Sequence, residues 1–374
     1  MTDWNSIRKQ FPALKKFTYL NSASESPISI KAAEEGKKYY DTVLYGNVDW
    51  DEWCKKIDKV REKVAKLINA DKEEIAFIPN TSFGMNFVAQ MLRGKGEVVT
   101  MDDEFTTTTL PWVNQSFKLN FVKPKNLIYS IEEIDKLVNR KTKILVTSHI
   151  QSFTGFKQDL VKLGNYCRSK KLTFVVNATQ SIGVTPIDVK KSRIDFLVFS
   201  SVKWLNTSEG LGAIYINKKW FNKIKWPMVG WMSIESVRGY DNKNLNLKKN
   251  VSVLELGAMN LHSIFVMGKA IELNTSIGIK NIEKRLQELT GYLIDKLKKL
   301  NVQILSSLEE KYRSSVVVVK LKNSERIIKE LAKKGIVVSL RLSRIRISLN
   351  IFNNKKDIDR LVIELNNMKE KGIF

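Results

Sequence analysis

Between about residue 74 and residue 217 the chain alternates short apolar runs with helical stretches, and few folds accommodate that order. The runs at 74–78, 97–101, 143–147, 172–176, 196–199 and 212–216 are rich in β-branched and aromatic residues. Runs of this kind read as strands buried on both faces. Helical patterns at 81–92 and 160–170 lie between them. Such alternation predicts an α/β fold, a mostly parallel sheet with helices on both faces. In an open sheet of that kind, chemistry collects just beyond the carboxyl ends of the strands. One stretch then stands out, residues 172–205, LTFVVNATQSIGVTPIDVKKSRIDFLVFSSVKWL. Its two strands end at Asn177–Gln180 and Ser200–Lys203, so Asn177, Gln180, Ser200 and Lys203 share one rim. A lysine there could be a covalent, nucleophilic lysine. Taken locally, a solvated surface lysine is the simpler reading, one of 63 Lys+Arg.

At 374 residues the chain exceeds one ordinary core, so two domains are expected. We place a large domain at 14–250 and a smaller α+β domain at 1–13 and 251–374. The smaller one has helical patterns at 260–275, 282–300, 324–334 and 356–369, and strand patterns at 302–305, 315–321 and 336–339. The clearest amphipathic helix is 51–69, where Trp53, Ile57, Val60, Val64, Leu67 and Ile68 form one apolar stripe. Residues 226–251 look irregular and include the polar run 240–250.

The formal charge of +24 invites a nucleic-acid reading. The lysines are spread as doublets such as Lys15-Lys16, Lys190-Lys191 and Lys333-Lys334. Doublets without a recognition helix, RNP-like motif or zinc finger mark solvated faces, so no dedicated nucleic-acid partner is expected. Nonspecific attraction to polyanions at low salt is. No apolar run could span a bilayer, and the start MTDWNSIRKQF lacks the apolar core of a secretory signal. Cys54 and Cys167 are the only cysteines, which fits a reducing cytoplasm. With His149 and His262 alone and no Cys/His cluster, no metal site is expected. No GxGxxG, GxxxxGK[ST] or GxSxG motif is present.

After the strand at 74–78, Pro79-Asn80-Thr81-Ser82-Phe83-Gly84 turns into a helix. Free N–H groups, the positive dipole end and two hydroxyls suit an anion there. The same residues also serve as an ordinary N-cap.

Taken in order, these pieces resemble the class V aminotransferases, fold-type I enzymes that use pyridoxal 5′-phosphate (PLP). The resemblance rests on Tyr19-Leu20-Asn21-Ser22-Ala23, residues 80–86, residues 104–112, TSHIQSFTG at 147–155, residues 177–183, Lys203-Trp204-Leu205, Glu255-Leu256-Gly257 and Arg346-Ile347-Ser348. Relatives include cysteine desulfurases, kynureninases and the isopenicillin-N-epimerase-like group. The resemblance implies a large domain with a seven-stranded type of sheet and a smaller α+β C-terminal domain. It implies a homodimer, and an amino acid as the small-molecule substrate.

It also implies roles. Lys203 would carry the cofactor and later move the Cα proton. Thr81, Ser82 and Ser200 would hold the phosphate. Phe105 would stack on the pyridine ring. Gln180 would hydrogen-bond the ring's phenolic oxygen. Arg346 would grip the substrate carboxylate as a two-pronged fork, with Arg341 nearby and Ser152 lining that end.

Departures from the family pattern carry expectations too. Asn177 stands where relatives usually have aspartate. A neutral amide cannot pair with a protonated ring nitrogen as an ion would, so carbanion chemistry at Cα should be weakened. Val202 replaces a common histidine or tyrosine, Ala258 a threonine that reaches the neighbouring subunit, and Ser208 a proline. A cysteine desulfurase needs a loop cysteine shortly before the C-terminal arginine. Here residues 339–345 read SLRLSRI, with no cysteine. Transamination, epimerisation or racemisation, and cysteine-independent elimination stay open. So does a PLP-fold protein with weak or lost catalysis.

Overall fold

The computed structural model describes residues 2–239 and 242–374. Met1, Tyr240 and Asp241, the last two at the start of the expected polar run, lie outside the described residues.

The predicted alternation folds into a seven-stranded sheet. Its order is Ile75–Ile78, Gly212–Ile216, Phe196–Ser200, Thr173–Asn177, Thr142–Ser148, Glu97–Met101 and Leu119–Val122. All neighbours are parallel except Gly212–Ile216, which runs antiparallel to both of its partners. The cause is the connection. A parallel crossover needs a dozen or more residues, usually with a helix. Only residues 201–211 join Ser200 to Gly212, and they carry no helix. Lys203 therefore sits in a tight return at the carboxyl end of Phe196–Ser200.

Six strands deliver their carboxyl ends to one rim, and helices seal both faces. One face packs Ile57, Val60, Val64 and Ile68 from helix Trp50–Ile68 against Phe77, Leu145, Phe174 and Leu197. The other packs Met85, Val88 and Leu92 against Ile78, Ile144, Val175 and Val198. Gly84 makes the second packing possible. A Cβ there would lie 2.6 Å from Ile78 Cδ1 and 2.7 Å from Val198 Cγ1. The helix Thr81–Met91 thus approaches the sheet closely enough to set its N-terminus on the rim.

The C-terminal part builds a four-stranded antiparallel sheet, order Ser339–Arg341, Arg344–Ser348, Val316–Lys320, Gln303–Ile304. Helices Ile279–Lys299, Ser324–Lys333 and Lys355–Glu370 cover it through Leu289, Leu293, Ile327, Leu331, Ile358 and Leu361. The expected strand 336–339 divides into Ile336–Val337 and Ser339–Arg341, which join different sheets. Ile336–Val337 pairs in parallel with Thr18–Tyr19. Ile7, Phe11, Leu20 and Ala23 share that C-terminal core, so chain beyond residue 14 packs with the smaller part. Helix Leu261–Ile277, drawn to the small domain from composition, instead packs Ile264, Phe265, Met267 and Ile271 into the core of the large sheet. Among the described residues, no helix is long and apolar enough to cross a membrane.

Candidate active site

The anion end of the cleft is assembled from hydroxyls. Asn80 caps helix Thr81–Met91, its Oδ1 accepting from Phe83 N at 3.1 Å. Thr81 N donates to Ser200 Oγ at 3.0 Å. The Thr81 hydroxyl lies 2.7 Å from Thr179 Oγ1 and 2.8 Å from Ser200 Oγ. Ser82 Oγ meets Thr107 Oγ1 at 3.0 Å. Thr81, Ser82 and Ser200, expected together from sequence, thus meet, and Thr179 and Thr107 join them. Side chains of this kind can turn their O–H groups to an incoming phosphate, with the helix dipole behind them. Among the described residues, no Asp or Glu lines this cleft.

The middle of the cleft holds Phe105, Asn177 and Gln180. Phe105 precedes helix Thr106–Asn114 and is 37% exposed, with its ring 5.6 Å from Lys203 Nζ. An open aromatic face beside the lysine suits a stacked ring. Asn177 ends its strand and is buried; its Oδ1 accepts from Thr179 N at 3.0 Å and its Nδ2 donates to Thr108 Oγ1 at 2.9 Å. Gln180 donates to Ala23 O at 2.9 Å and to Ser152 Oγ at 3.4 Å, and accepts from Trp204 Nε1 at 2.8 Å.

The far end is cationic. Arg346 lies on the inner face of Arg344–Ser348, opposite Ser339 and Val318. Its guanidinium donates to Ser152 Oγ at 2.9 Å, Ser152 O at 3.1 Å, Ser339 Oγ at 3.2 Å and Ser24 Oγ at 2.7 Å. Arg341 donates to the same Ser24 Oγ at 2.9 Å and to Leu340 O. Every acceptor is neutral. Burial, and then Arg341, pull the Arg346 pKa down to about 9, so it stays charged near neutrality. Burial, then Arg346 and Arg341, pull the Lys203 pKa down to about 7.

That value sets a pH dependence. Below pH 7 the Lys203 amine is mostly protonated and unreactive; above it the free amine dominates. We expect the rate at which cofactor-free protein attaches PLP, followed by its visible absorption, to rise through about pH 7 and then level off. A rate still climbing steeply between about pH 8 and 10 would mean an ordinary lysine.

Sequence reading missed Ser24, Thr107, Thr108, Ser148 and Thr179. Thr179 carried a signal, lying between Asn177 and Gln180 on the same rim loop. Ser24 carried none, because the bridge Asn21↔Ser348 is what brings it to the arginines. The short connection that the sequence suggests around Ser343 is a two-residue turn. Arg341 pairs with Arg344, so only Leu342 and Ser343 make the turn, both at positive φ (48° and 58°). Two-residue hairpins demand that geometry. Cys54 is half-buried in helix Trp50–Ile68 and Cys167 buried in helix Leu160–Ser169. Burial raises both thiols, so neither is an activated nucleophile.

The donor set fits PLP: hydroxyls and a helix N-terminus for the phosphate, an aromatic face for the ring, a low-pKa lysine for the carbonyl carbon. The fold agrees. The chain superimposes on a cysteine desulfurase from Thermococcus onnurineus NA1 with a TM-score of 0.91, at 22% identity and 98% coverage of both chains. It is similar to the cystine C-S lyase C-DES, solved with its product cysteine persulfide, at a TM-score of 0.88, 20% identity, and 95% and 99% coverage. In sequence it is 24% identical to an uncharacterized aminotransferase, YcbU, of Bacillus subtilis over 96% of each chain. It is 29% identical to a probable cysteine desulfurase of Pyrococcus abyssi over 79% of this chain and 76% of that one. The family match and the aminotransferase relatives, with this fold, define a fold-type I, PLP-dependent enzyme of the transferase type. Residues 18–361 match the family described as aminotransferase class-V, and the chain belongs to that family.

Proposed function

We propose that this enzyme acts at the α-carbon of a free amino acid, by transamination, by epimerisation or racemisation, or by an elimination that needs no cysteine. One observation carries the reading. Burial and then the two arginines lower the Lys203 pKa, burial and then Arg341 lower that of Arg346, and none of the three forms an ion pair among the described residues. Buried cations without anions are costly, and an amino-acid carboxylate would relieve that cost. Bound PLP supplies an electrophilic carbon and a ring that draws electrons from Cα. Arg346 would take the carboxylate in its fork, with Ser24 and Ser152 holding the guanidinium plane. Lys203 would hold the cofactor, then move the Cα proton as a base whose pKa lies near neutrality. Thr81, Ser82, Ser200 and Thr179 would hold the phosphate, and Phe105 would flank the ring. The two-residue turn at Leu342–Ser343 supports the branch without persulfide chemistry.

A second reading, weak or lost catalysis, rests on Asn177 alone. Incubation with PLP and a panel of amino acids, with products identified by mass spectrometry and chiral separation, separates the two. A keto acid means transamination, the opposite enantiomer racemisation, and a lost β-substituent elimination. No product from any amino acid, with the cofactor bound, would sink the first reading.

We expect Arg346→Lys to raise KM on the order of 10- to 100-fold with a smaller effect on kcat, since charge is kept but the fork is lost. An unchanged KM would remove Arg346 from the carboxylate site. We further propose a homodimer in the cytoplasm. Exposed Phe83, Leu110 and Val113 flank the phosphate end, and Trp231 and Met228 are also exposed; light scattering giving a monomer would refute the dimer.

A further inference from the structure

Behind the cleft lies a buried acid with no cation beside it. Glu104 follows strand Glu97–Met101, is 7% exposed, and accepts from Ser148 N at 2.6 Å, Ser148 Oγ at 2.5 Å, Gln151 Nε2 at 2.7 Å and Thr147 Oγ1 at 3.3 Å. The Thr108 hydroxyl reaches it through Ser148, whose Oγ lies 3.5 Å from Thr108 Oγ1. Burial raises its pKa on balance, the donors offsetting only part of that, so the ionised form depends on these hydrogen bonds. A carboxylate kept among hydroxyls and amides, rather than beside a base, is an expensive choice for a core.

The donors form a chain with a direction. Thr179 N–H can only donate, so it fixes Asn177 Oδ1 on its side and turns Nδ2 to Thr108 Oγ1 at 2.9 Å. Thr108 Oγ1 lies 3.5 Å from Ser148 Oγ. An ionised carboxylate accepts only. Ser148 therefore turns its hydrogen to Glu104 and Thr108 turns its own to Ser148, and a Thr108 lone pair is left for Asn177. Every bond from Asn177 inward points at Glu104, and chains of this kind polarise along their length. Other titratable groups facing Glu104 are Tyr129, whose pKa burial and Asp103 raise, and Asp103, which accepts the Tyr129 O–H at 3.0 Å. His149, one residue past Ser148, is held neutral by burial.

We propose that Glu104, acting through Thr108, Ser148 and Asn177, supplies the negative charge that relatives place in an aspartate at the Asn177 position. Glu104 is then a positioning residue for the protonated ring nitrogen of the cofactor. The proposal rests on the reading that Asn177 faces that nitrogen.

The test uses the full chain loaded with PLP labelled with 15N in the ring, and follows the nitrogen's chemical shift against pH. Glu104→Gln should raise the acid dissociation constant of the ring nitrogen about tenfold or more. Thr108→Val, which cuts the chain but leaves the Ser148 and Gln151 bonds to Glu104, should move it the same way by less, and it stands in if Glu104→Gln does not fold. Adding Asn177→Asp to Glu104→Gln should restore the value by returning a charge to the ring. A loaded Glu104→Gln or Thr108→Val protein whose nitrogen titrates as in the unaltered chain would overturn the proposal. If Asn177→Asp alone also leaves the shift unmoved, the placement of Asn177 at the nitrogen fails, while the assignment of Lys203 and the cofactor stands.

Discussion

Lys203→Ala is expected to lower turnover on the order of a thousandfold or more, because in the proposed mechanism one side chain both attaches the cofactor and moves the proton. PLP should still bind through the hydroxyl end and Phe105, but noncovalently, so that dialysis removes it and borohydride no longer fixes it to the chain. The same variant should change stability with a sign that depends on pH. In the unfolded chain this amine has its ordinary pKa near 10.5, and in the folded protein about 7. At pH 6 both states carry the proton, and the folded state holds a desolvated ammonium. Between about pH 7 and 10.5 the folded state releases the proton first, and that penalty fades as pH rises. Removing the amine should thus stabilise the cofactor-free protein most at low pH, by at most a few kcal/mol, and least near pH 10. Urea unfolding of both proteins at about pH 6 and pH 9.5 measures the difference. A gain that is equal at both values, or larger at the higher one, would mean that the ammonium is not strained. A group that the protein holds at a cost, and that has one good partner outside the chain, belongs to function rather than to folding.

The parts of this site that sequence made legible share a physical trait. Asn177 and Ser200 end, and Gln180 and Lys203 follow, strands buried on both faces, and such strands are continuous apolar runs. The rule that chemistry gathers at carboxyl ends then needs no three-dimensional knowledge. Leu119–Val122 escaped notice for the converse reason. It is an edge strand, only Val122 is buried, and its pattern is mixed. Helix Thr106–Asn114 was hidden by four threonines and Pro111, which argue against a helix on propensity and are overridden by packing of Trp112 into the core. Arg346 was legible only through family resemblance. As a local pattern it is the polar face of a strand, and nothing nearby says that Ser24 and Ser152 come from 322 and 194 residues away. Glu104 is the extreme case. In sequence it is one of three acids at 102–104; only the fold shows that it is buried behind Asn177.

The second large effect lies away from the chemistry, at Glu255. Its Oε1 accepts from Arg61 at 2.5 Å and from Phe77 N at 2.8 Å, and its Oε2 accepts from Arg61 at 3.0 Å. Arg61 also donates to Ile75 O at 3.0 Å and lies over the Phe77 ring. Both side chains are buried, and Glu255 raises the arginine's pKa although burial works against it. The pair pins helix Trp50–Ile68 and the segment at 255 to strand Ile75–Ile78. Glu255→Ala should destabilise the protein by about 3–5 kcal/mol, since it strands a buried guanidinium and a backbone N–H. Arg61→Met with Glu255→Leu should recover most of that loss, because replacing both partners by apolar groups of similar size comes close to neutral. Urea unfolding with an unchanged slope is the measurement. If the double variant is as unstable as Glu255→Ala, the loss comes from the Phe77 bond or from packing, not from the unpaired charge. The strand so pinned runs directly into Asn80 and Thr81. Glu255→Ala should therefore also weaken PLP binding in protein that remains folded, whereas the apolar pair should not. The family motif at 255–257 then has a structural account in this chain: it fixes the strand that leads into the helix proposed to hold the phosphate.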